Sequence, residues 1–367
     1  MNNFPKIIIS GGGTGGHIFP AVAIANALKR ISPNCEILFV GALGRMEMEK
    51  VPAAGYKIVG LKISGIQRGS ILKNLSLPFK VIGSIRKAMQ ILTEFKPDAV
   101  VGVGGYASGP LLYAASLKGI PYLIQEQNSY AGMTNKFLGK NAVKVCVAFD
   151  GMEQFFPAHK LLKTGNPVRK NVIDIKDKRS VGATTLNLDP VKRTILVTGG
   201  SLGAGTLNKS IEKHLPDLLE RDVQVVWQTG KYYYQGIIER LGVDHHPNIK
   251  ILEFLNHMDL AYAAADLIIS RAGAGTIAEL CFIEKPVILV PSPNVAEDHQ
   301  TQNALALVKN DAAIIIKDSS AVDTLVAEAL KLLDNPERCE KLSHNIGQMA
   351  MEDADMVIAE EVLKLIG

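Results

Sequence analysis

The chain has 367 residues, 47% hydrophobic and 21% charged, and its 40 basic and 36 acidic side chains leave a net charge of +4. That length points to two domains, and the ordinary globular composition excludes long-range disorder. So small a basic excess lacks the one-sided charge of a nucleic-acid binder, and no nucleic acid is expected as a partner. Four cysteines, at 35, 146, 281 and 339, form no CxxC pair, which excludes a disulfide scaffold and a zinc ribbon and fits a reducing compartment. The opening MNNFPKIII runs straight into a strand-like stretch, so no signal peptide is expected, and no apolar run approaches the ~20 residues of a membrane span. The 33 glycines, many of them clustered, mark places where backbone must approach something closely.

In chain order, Lys6–Ser10, Glu36–Val40, Ala99–Val103, Tyr122–Gln125 and Val143–Val147 read as buried strands. Between them lie helical patterns such as Ile18, Val22, Ala25 and Leu28, spaced for one helix face. Continuously apolar strands alternating with helices imply a parallel sheet covered on both faces. The polar stretch Asp174–Pro190 is expected to separate this half from a second one. There Thr194–Thr198, Val223–Trp227, Ile249–Leu252, Leu267–Ser270 and Val287–Val290 repeat the plan.

The halves echo each other in detail. KIIISGGGTGGHIFP near residue 6 is matched by TILVTGGSLGAGTLN near 194, VVGVGGYASGP near 100 by LIISRAGAGTIAE near 267, and PYLIQEQN near 121 by PVILVPSPN near 286. Offsets this large exclude a solenoid. They predict two doubly wound α/β domains facing a central cleft, with ligands beyond the carboxyl ends of the strands.

The turns of this plan carry the chemistry. Gly11-Gly12-Gly13-Thr14-Gly15-Gly16-His17 follows a strand and opens a helix, whose unpaired N–H groups suit a phosphate or a polar sugar. It is neither GxGxxG nor a P-loop, which disfavours a nicotinamide or ATP site. Gly199-Gly200-Ser201-Leu202-Gly203-Ala204 is its counterpart, and the Ser201 hydroxyl can donate to a phosphate oxygen. Arg271-Ala272-Gly273-Ala274-Gly275-Thr276 leads into a helix carrying Glu279, which can accept hydrogen bonds from two ribose hydroxyls or simply favour the helix start. Arg169, in Asn166-Pro167-Val168-Arg169 at the junction, can neutralise a diphosphate. Asp298-His299-Gln300 follows the last strand of the second half and faces the same edge.

Together these pieces resemble the bacterial MurG-type transferases, which move N-acetylglucosamine from UDP-GlcNAc to lipid I, the undecaprenyl-diphosphate-linked muramyl pentapeptide, to give lipid II. The matching runs are GGGTGGHIFPA at 11–21, GGYASGP at 104–110, QEQNSYAG at 125–132, GNPVR at 165–169, GGSLGA at 199–204, SRAGAGTIAE at 270–279 and EDHQTQNA at 297–304. They stand in the family's order and cover nearly the whole chain. The resemblance implies the GT-B fold, with an acceptor and membrane-facing domain over 1–165, a UDP-GlcNAc domain over 166–340, and a C-terminal helix over 341–367 packing back on the first.

It also implies roles. Arg169 and Ser201 contact the UDP-sugar, and Leu255, after Phe254, lines the uracil slot. Ala274, Gly275, Thr276, Ile277, Ala278 and Glu279 span diphosphate and ribose, with Glu279 on the ribose. Gln300 and Asn128 reach the sugar, Thr14, Gly15 and Gly16 border sugar and acceptor, and Gly104, Gly105 and Tyr106 hold the acceptor. Some members have two adjacent glutamines where this chain has His299-Gln300, which leaves the role of His299 open. The family's place is the cytoplasmic face of the cell membrane. Ile71, Leu72, Leu75, Leu77, Pro78, Phe79 and Val81, interleaved with Lys73 and Lys80, suit an anionic membrane surface.

The implied reaction inverts the anomeric carbon and needs a general base and a stabilised leaving diphosphate. His17 and Glu126 are the candidate bases. An imidazole beside a helix N-terminus is disfavoured in its charged form, which suits a base, and Glu126 is the alternative base or the group that orients His17. The sole DxD, Asp353-Ala354-Asp355, reads as a solvated helix face, so neither a metal nor a cofactor is expected. Two other readings are a UDP-sugar 2-epimerase of the same architecture, which needs no lipid, and a non-catalytic nucleotide-sugar-binding protein.

Overall fold

The apolar runs of the first half enter one parallel sheet. Its strands are β1 (Lys6–Gly11), β2 (Glu36–Ala42), β3 (Lys57–Leu61), β4 (Ala99–Gly104), β5 (Tyr122–Glu126), β6 (Lys144–Val147) and β7 (Leu161–Lys163), in the order β3-β2-β1-β4-β5-β6-β7. Ile8 of β1 lies between Leu38 of β2 and Val100 of β4 in register. The second half forms a separate parallel sheet from β8 (Thr194–Thr198), β9 (Gln224–Gln228), β10 (Ile249–Leu252), β11 (Leu267–Ser270), β12 (Val287–Leu289) and β13 (Ile314–Ile315), ordered β10-β9-β8-β11-β12-β13. Strand order reverses between β1 and β4 and between β8 and β11, the switch points where such sheets bind ligands. The structure, a computed structural model, describes residues 4–63, 77–200, 202–242 and 246–367.

Three strands are additional to those read from the sequence: β3, β7 and β13. All three are edge strands, and β7 and β13 have only three and two residues. A lone edge pairing needs no long apolar run, so the periodic signal is weak.

The chain divides into two units, residues 1–168 with 351–367, and residues 169–350. The helix Pro336–Gly347 stays whole in the second unit, so the chain returns to the first after residue 350 rather than at 341. The stretch 174–190 lies between the strands of two separate sheets. It belongs to the second unit, where its helix Arg179–Thr185 is pinned by Arg179, which donates to both carboxylate oxygens of Asp266 at 2.7 and 2.9 Å.

The last helix, Ala354–Lys364, packs on the helix Gly15–Ile31 within the first unit. Ile358, Ala359 and Val362 join Ile7, Ile9, Ile24 and Leu28 in one buried cluster. This packing corrects the reading of the DxD. Asp355 is nearly buried and pairs with Arg30 at 2.5 Å, because its helix lies against the helix that carries the arginine. The second core gathers around the fully buried Trp227, whose indole N–H donates to Asn208 Oδ1 at 2.9 Å.

Of the segment 71–81, residues 71–76 lie outside the described residues. The helix Leu77–Phe95 buries Ser84, Ala88, Ile91 and Leu92, while Phe79 is 79% and Ile82 51% exposed. Neighbouring helices Ser108–Leu117 and Met133–Gly139 expose Leu117, Met133 and Phe137, and the Tyr113 and Phe137 rings stand 6.5 Å apart. Among the described residues no helix is long and apolar enough to cross a membrane.

Ile358→Ala tests the return of the last helix. A fully buried isoleucine truncated in a packed core costs about 2–5 kcal/mol. Urea unfolding of the purified chain is expected to show that loss, and a change below about 1 kcal/mol would mean that the helix adds little to the first core.

Candidate active site

In the first unit the functional turns leave the carboxyl ends of β1, β4 and β5. The turn after β1 and the turn after β4 meet backbone to backbone. Gly12 N–H donates to Gly104 C=O at 3.3 Å, and a Cβ on Gly105 would strike the backbone of Gly12. Gly104 and Gly105 have φ of +97° and +91°, which glycine alone adopts freely. A Cβ on Gly104 would also lie 2.7–2.8 Å from Cδ2 and Nε2 of His17, so the imidazole edge rests on this glycine.

His17 sits in the first turn of Gly15–Ile31. Its Nδ1 lies 2.9 Å from Gly12 C=O and 3.3 Å from Thr14 Oγ1. A carbonyl only accepts, so Nδ1 carries the proton, and Nε2 is the basic nitrogen of the neutral ring. Tyr106, almost half exposed, lies beside Gly13, with the Arg45 guanidinium 5.6 Å from its ring centroid.

Glu126 ends β5 and is 2% exposed. Its Oε1 accepts from the backbone N–H and side-chain amide of Asn128 at 3.1 and 3.3 Å. Its Oε2 accepts from Gly132 N–H at 3.2 Å and the Asn135 amide at 2.8 Å. Four donors fill this carboxylate, and the His17 ring is not one of them. The Gly12 carbonyl orients the imidazole, while Glu126 shapes the loop carrying Asn128.

In the second unit the candidate residues leave the carboxyl ends of β8, β10, β11 and β12. The turn after β8 is closed by Gly203 N–H donating to Gly200 C=O at 2.9 Å, and both glycines have φ of +81°. Ser201, in this turn, lies outside the described residues. Gly273 precedes the helix Ala274–Ile283, which has no acidic residue in its first turn, and the positive end of a helix dipole suits an anion. Leu255 is buried beside the half-exposed Phe254. Gln300 accepts from Ser292 N–H at 2.8 Å through Oε1, which leaves its amide N–H₂ as the donor. Before it, Glu297 and Asp298 adopt φ of +54° and +51°, a pair of consecutive non-glycine residues in the left-handed region.

Glu279 and Arg169, expected on ribose and diphosphate, are brought onto each other. Arg169 Nε and Nη2 reach Glu279 Oε1 at 2.9 and 2.8 Å, and Tyr262 O–H donates to Oε2 at 3.5 Å. Burial raises the Glu279 carboxyl above its ordinary value, with Arg169 pulling the other way. Burial pushes the Tyr262 phenol up as well, and the neighbouring carboxylate adds to the rise.

Sequence reasoning missed three residues of these sites: Glu47, Asn135 and Tyr262. Glu47 reads as a helix-start acid in RMEME, yet it is 1% exposed and accepts from Gly13 N–H at 2.8 Å and Ala42 N–H at 2.9 Å. Asn135 and Tyr262 lie inside helical patterns that carry no local signal of their contacts. Among the described residues no cluster of three or more histidine, cysteine or carboxylate side chains is arranged to hold a metal ion.

Comparisons with known proteins fit both halves. Residues 7–147 match the glycosyltransferase family 28 N-terminal domain and residues 194–358 its C-terminal domain. The UDP-N-acetylglucosamine–N-acetylmuramyl-(pentapeptide) pyrophosphoryl-undecaprenol N-acetylglucosamine transferase of Parabacteroides distasonis is 55% identical over 361 residues, 98% of each chain. The protein of that name from Cytophaga hutchinsonii is 56% identical over 98% of this chain and 97% of its own. The crystal structure of Acinetobacter baumannii MurG superposes with a TM-score of 0.78 at 31% identity, covering 98% of this chain and 99% of that one. The Neisseria meningitidis UDP-GlcNAc 2-epimerase has a TM-score of 0.67 at 17% identity over 98% of this chain and all of its own, a likeness of fold alone.

The raised carboxyl of Glu279 has a consequence for stability. A carboxyl that binds its proton more tightly when folded favours the folded state most below its unfolded pKa, and that contribution is lost as pH rises through the folded value. At pH 7 the buried carboxylate therefore costs stability. Glu279→Gln is expected to raise Tm at pH 7, with the gain shrinking toward pH 4; a lower Tm at pH 7 would show that the attraction of Arg169 outweighs burial.

Proposed function

The chain belongs to glycosyltransferase family 28, and from that membership we propose the complete reaction and the residues that perform it. The enzyme is a hexosyltransferase of the GT-B fold that transfers N-acetylglucosamine from UDP-GlcNAc to lipid I, forming lipid II for peptidoglycan. The observation that carries this reading is the identity of 54–56% across 98% of the chain to transferases of that one name. The epimerase reading has only a shared fold behind it.

The acceptor binds the first unit and the donor the second. The C4 hydroxyl of the muramyl sugar attacks the anomeric carbon as the bond to the diphosphate oxygen breaks on the opposite face, with inversion. Its proton passes to Nε2 of His17, the nitrogen left basic by the Nδ1 contact to Gly12. The N–H groups of Ala274, Gly275 and Thr276 and the helix dipole stabilise the departing UDP. Arg169 is 44% exposed at its side chain, so it can turn from Glu279 to the diphosphate and release that carboxylate to the ribose hydroxyls. Ser201 adds a hydroxyl to the phosphates, Leu255 borders the uracil, and Gln300 and Asn128 donate to the sugar. Gly104, Gly105 and Tyr106, with Thr14, Gly15 and Gly16, line the acceptor side. The chemistry needs no cofactor or resident metal.

The enzyme works as a peripheral protein on the cytoplasmic face of the membrane, where its lipid substrate resides. Exposed Phe79 and Ile82 beside exposed Lys80 support that reading, since apolar insertion and a basic charge together favour an anionic bilayer.

Labelled UDP-GlcNAc incubated with a lipid I analogue is expected to yield a disaccharide-linked lipid. Absence of transfer, or an epimerised UDP-sugar formed without acceptor, overturns the function. His17→Ala should lose ~10²–10⁴-fold in kcat with little change in the KM for UDP-GlcNAc. Glu126→Gln should mainly raise that KM by disturbing Asn128. An active His17→Ala beside an inactive Glu126→Gln reverses the two roles.

The membrane reading has its own test. Phe79→Ser with Ile82→Ser should release the enzyme from anionic vesicles while sparing turnover of a short-chain soluble acceptor. Undiminished vesicle binding would remove this helix from the membrane face.

A further inference from the structure

We propose that Glu47 is a positioning residue for the base, acting on His17 through the single peptide unit that joins Gly12 to Gly13. The inference rests on the reading of His17 as the base. One side of that peptide, the Gly12 carbonyl, accepts from His17 Nδ1 at 2.9 Å. Its other side, the Gly13 N–H, donates to Glu47 Oε2 at 2.8 Å. Carboxylate, peptide and imidazole thus form one continuous chain of hydrogen bonds.

Three features make the chain more than a structural staple. Glu47 is 1% exposed, so its field acts through protein rather than water. Its second oxygen is held by Ala42 N–H at 2.9 Å, which anchors the carboxylate to the end of β2. Room for it exists only because residues 12 and 41 are glycines, since a Cβ on either would overlap the Glu47 side chain. A carboxylate accepting from a peptide N–H draws electron density toward the carbonyl of the same peptide and makes it a stronger acceptor. A stronger acceptor at Gly12 holds the proton on Nδ1, which leaves Nε2 as the unprotonated nitrogen that can take the hydroxyl proton. This is the work of the carboxylate in a direct carboxylate–histidine pair, with one peptide interposed.

Glu47→Gln keeps the size but supplies one acceptor oxygen and an N–H₂, so it cannot satisfy Gly13 and Ala42 together. In the wild-type enzyme, NMR is expected to show the Gly13 amide proton far downfield and the His17 ring as the Nδ1–H tautomer. In Glu47→Gln the amide should move upfield and the ring become a mixture of tautomers. Alongside, kcat should fall about 10–100-fold while the KM for UDP-GlcNAc stays within about twofold. A merely structural glutamate would not move the tautomer. A wild-type Gly13 amide at an ordinary position, or a folded Glu47→Gln with unchanged tautomer and kcat, overturns the proposal. If Glu47→Gln does not fold, the wild-type amide shift decides. If the tautomer responds but His17→Ala retains its activity, the linkage stands and the assignment of the base falls.

Discussion

The close approach of two glycine turns is the constraint on which the geometry around His17 depends. Gly12 and Gly105 meet backbone to backbone, and neither leaves space for a Cβ. That contact brings the turn after β4 under the imidazole of His17, with Gly104 as the floor beneath Nε2. It also exposes both faces of one peptide, the carbonyl to histidine and the N–H to a buried glutamate. A side chain at Gly105 would force the two turns apart, one at Gly104 would strike the imidazole, and one at Gly12 would displace Glu47.

The second unit faces a different constraint, that of holding an ionisable carboxyl in a buried place. Glu279 lies one turn or more into its helix, covered by Tyr262, and the half-exposed guanidinium of Arg169 balances it. Burial of a charge costs stability unless it is paired, and the pairing here is one-sided because Arg169 stays in reach of water. Such a pair can be exchanged for a ligand with less loss than a fully enclosed one. The two left-handed residues before Gln300 are a similar tension, held by the Thr301 hydroxyl donating to Asp298 at 2.7 Å.

Most of the candidate site was legible in the chain, because glycine clusters at strand ends announce close backbone approach, and a polar residue just after them has few other purposes. Thr14 and His17 stand out in this way, whereas Glu126 and Gln300 follow no glycine cluster and enter through the family resemblance. Partnerships were much less legible. Glu126 stood as a possible partner of His17, yet its four donors come from Asn128, Gly132 and Asn135. The residue that reaches the same peptide as His17 is Glu47, which looks in the sequence like any acid at a helix start. Asp355 looked solvated for the same reason, and Arg30 meets it from 325 residues away.

The sequence by itself determined the two parallel sheets and the glycine-rich turns beyond the carboxyl ends of their strands. Continuous apolar runs can be satisfied only by burial on both sheet faces, and runs of glycine tolerate backbone geometry that other residues resist. Tertiary structure alone decided the edge strands β3, β7 and β13, the residue at which the chain re-enters the first unit, and the pairing of charges. These depend on distances between residues remote in the chain, and no local pattern encodes such a distance. A carboxylate is a carboxylate in sequence; whether it is solvated, paired with arginine or holding a peptide in place is set by what the fold packs against it.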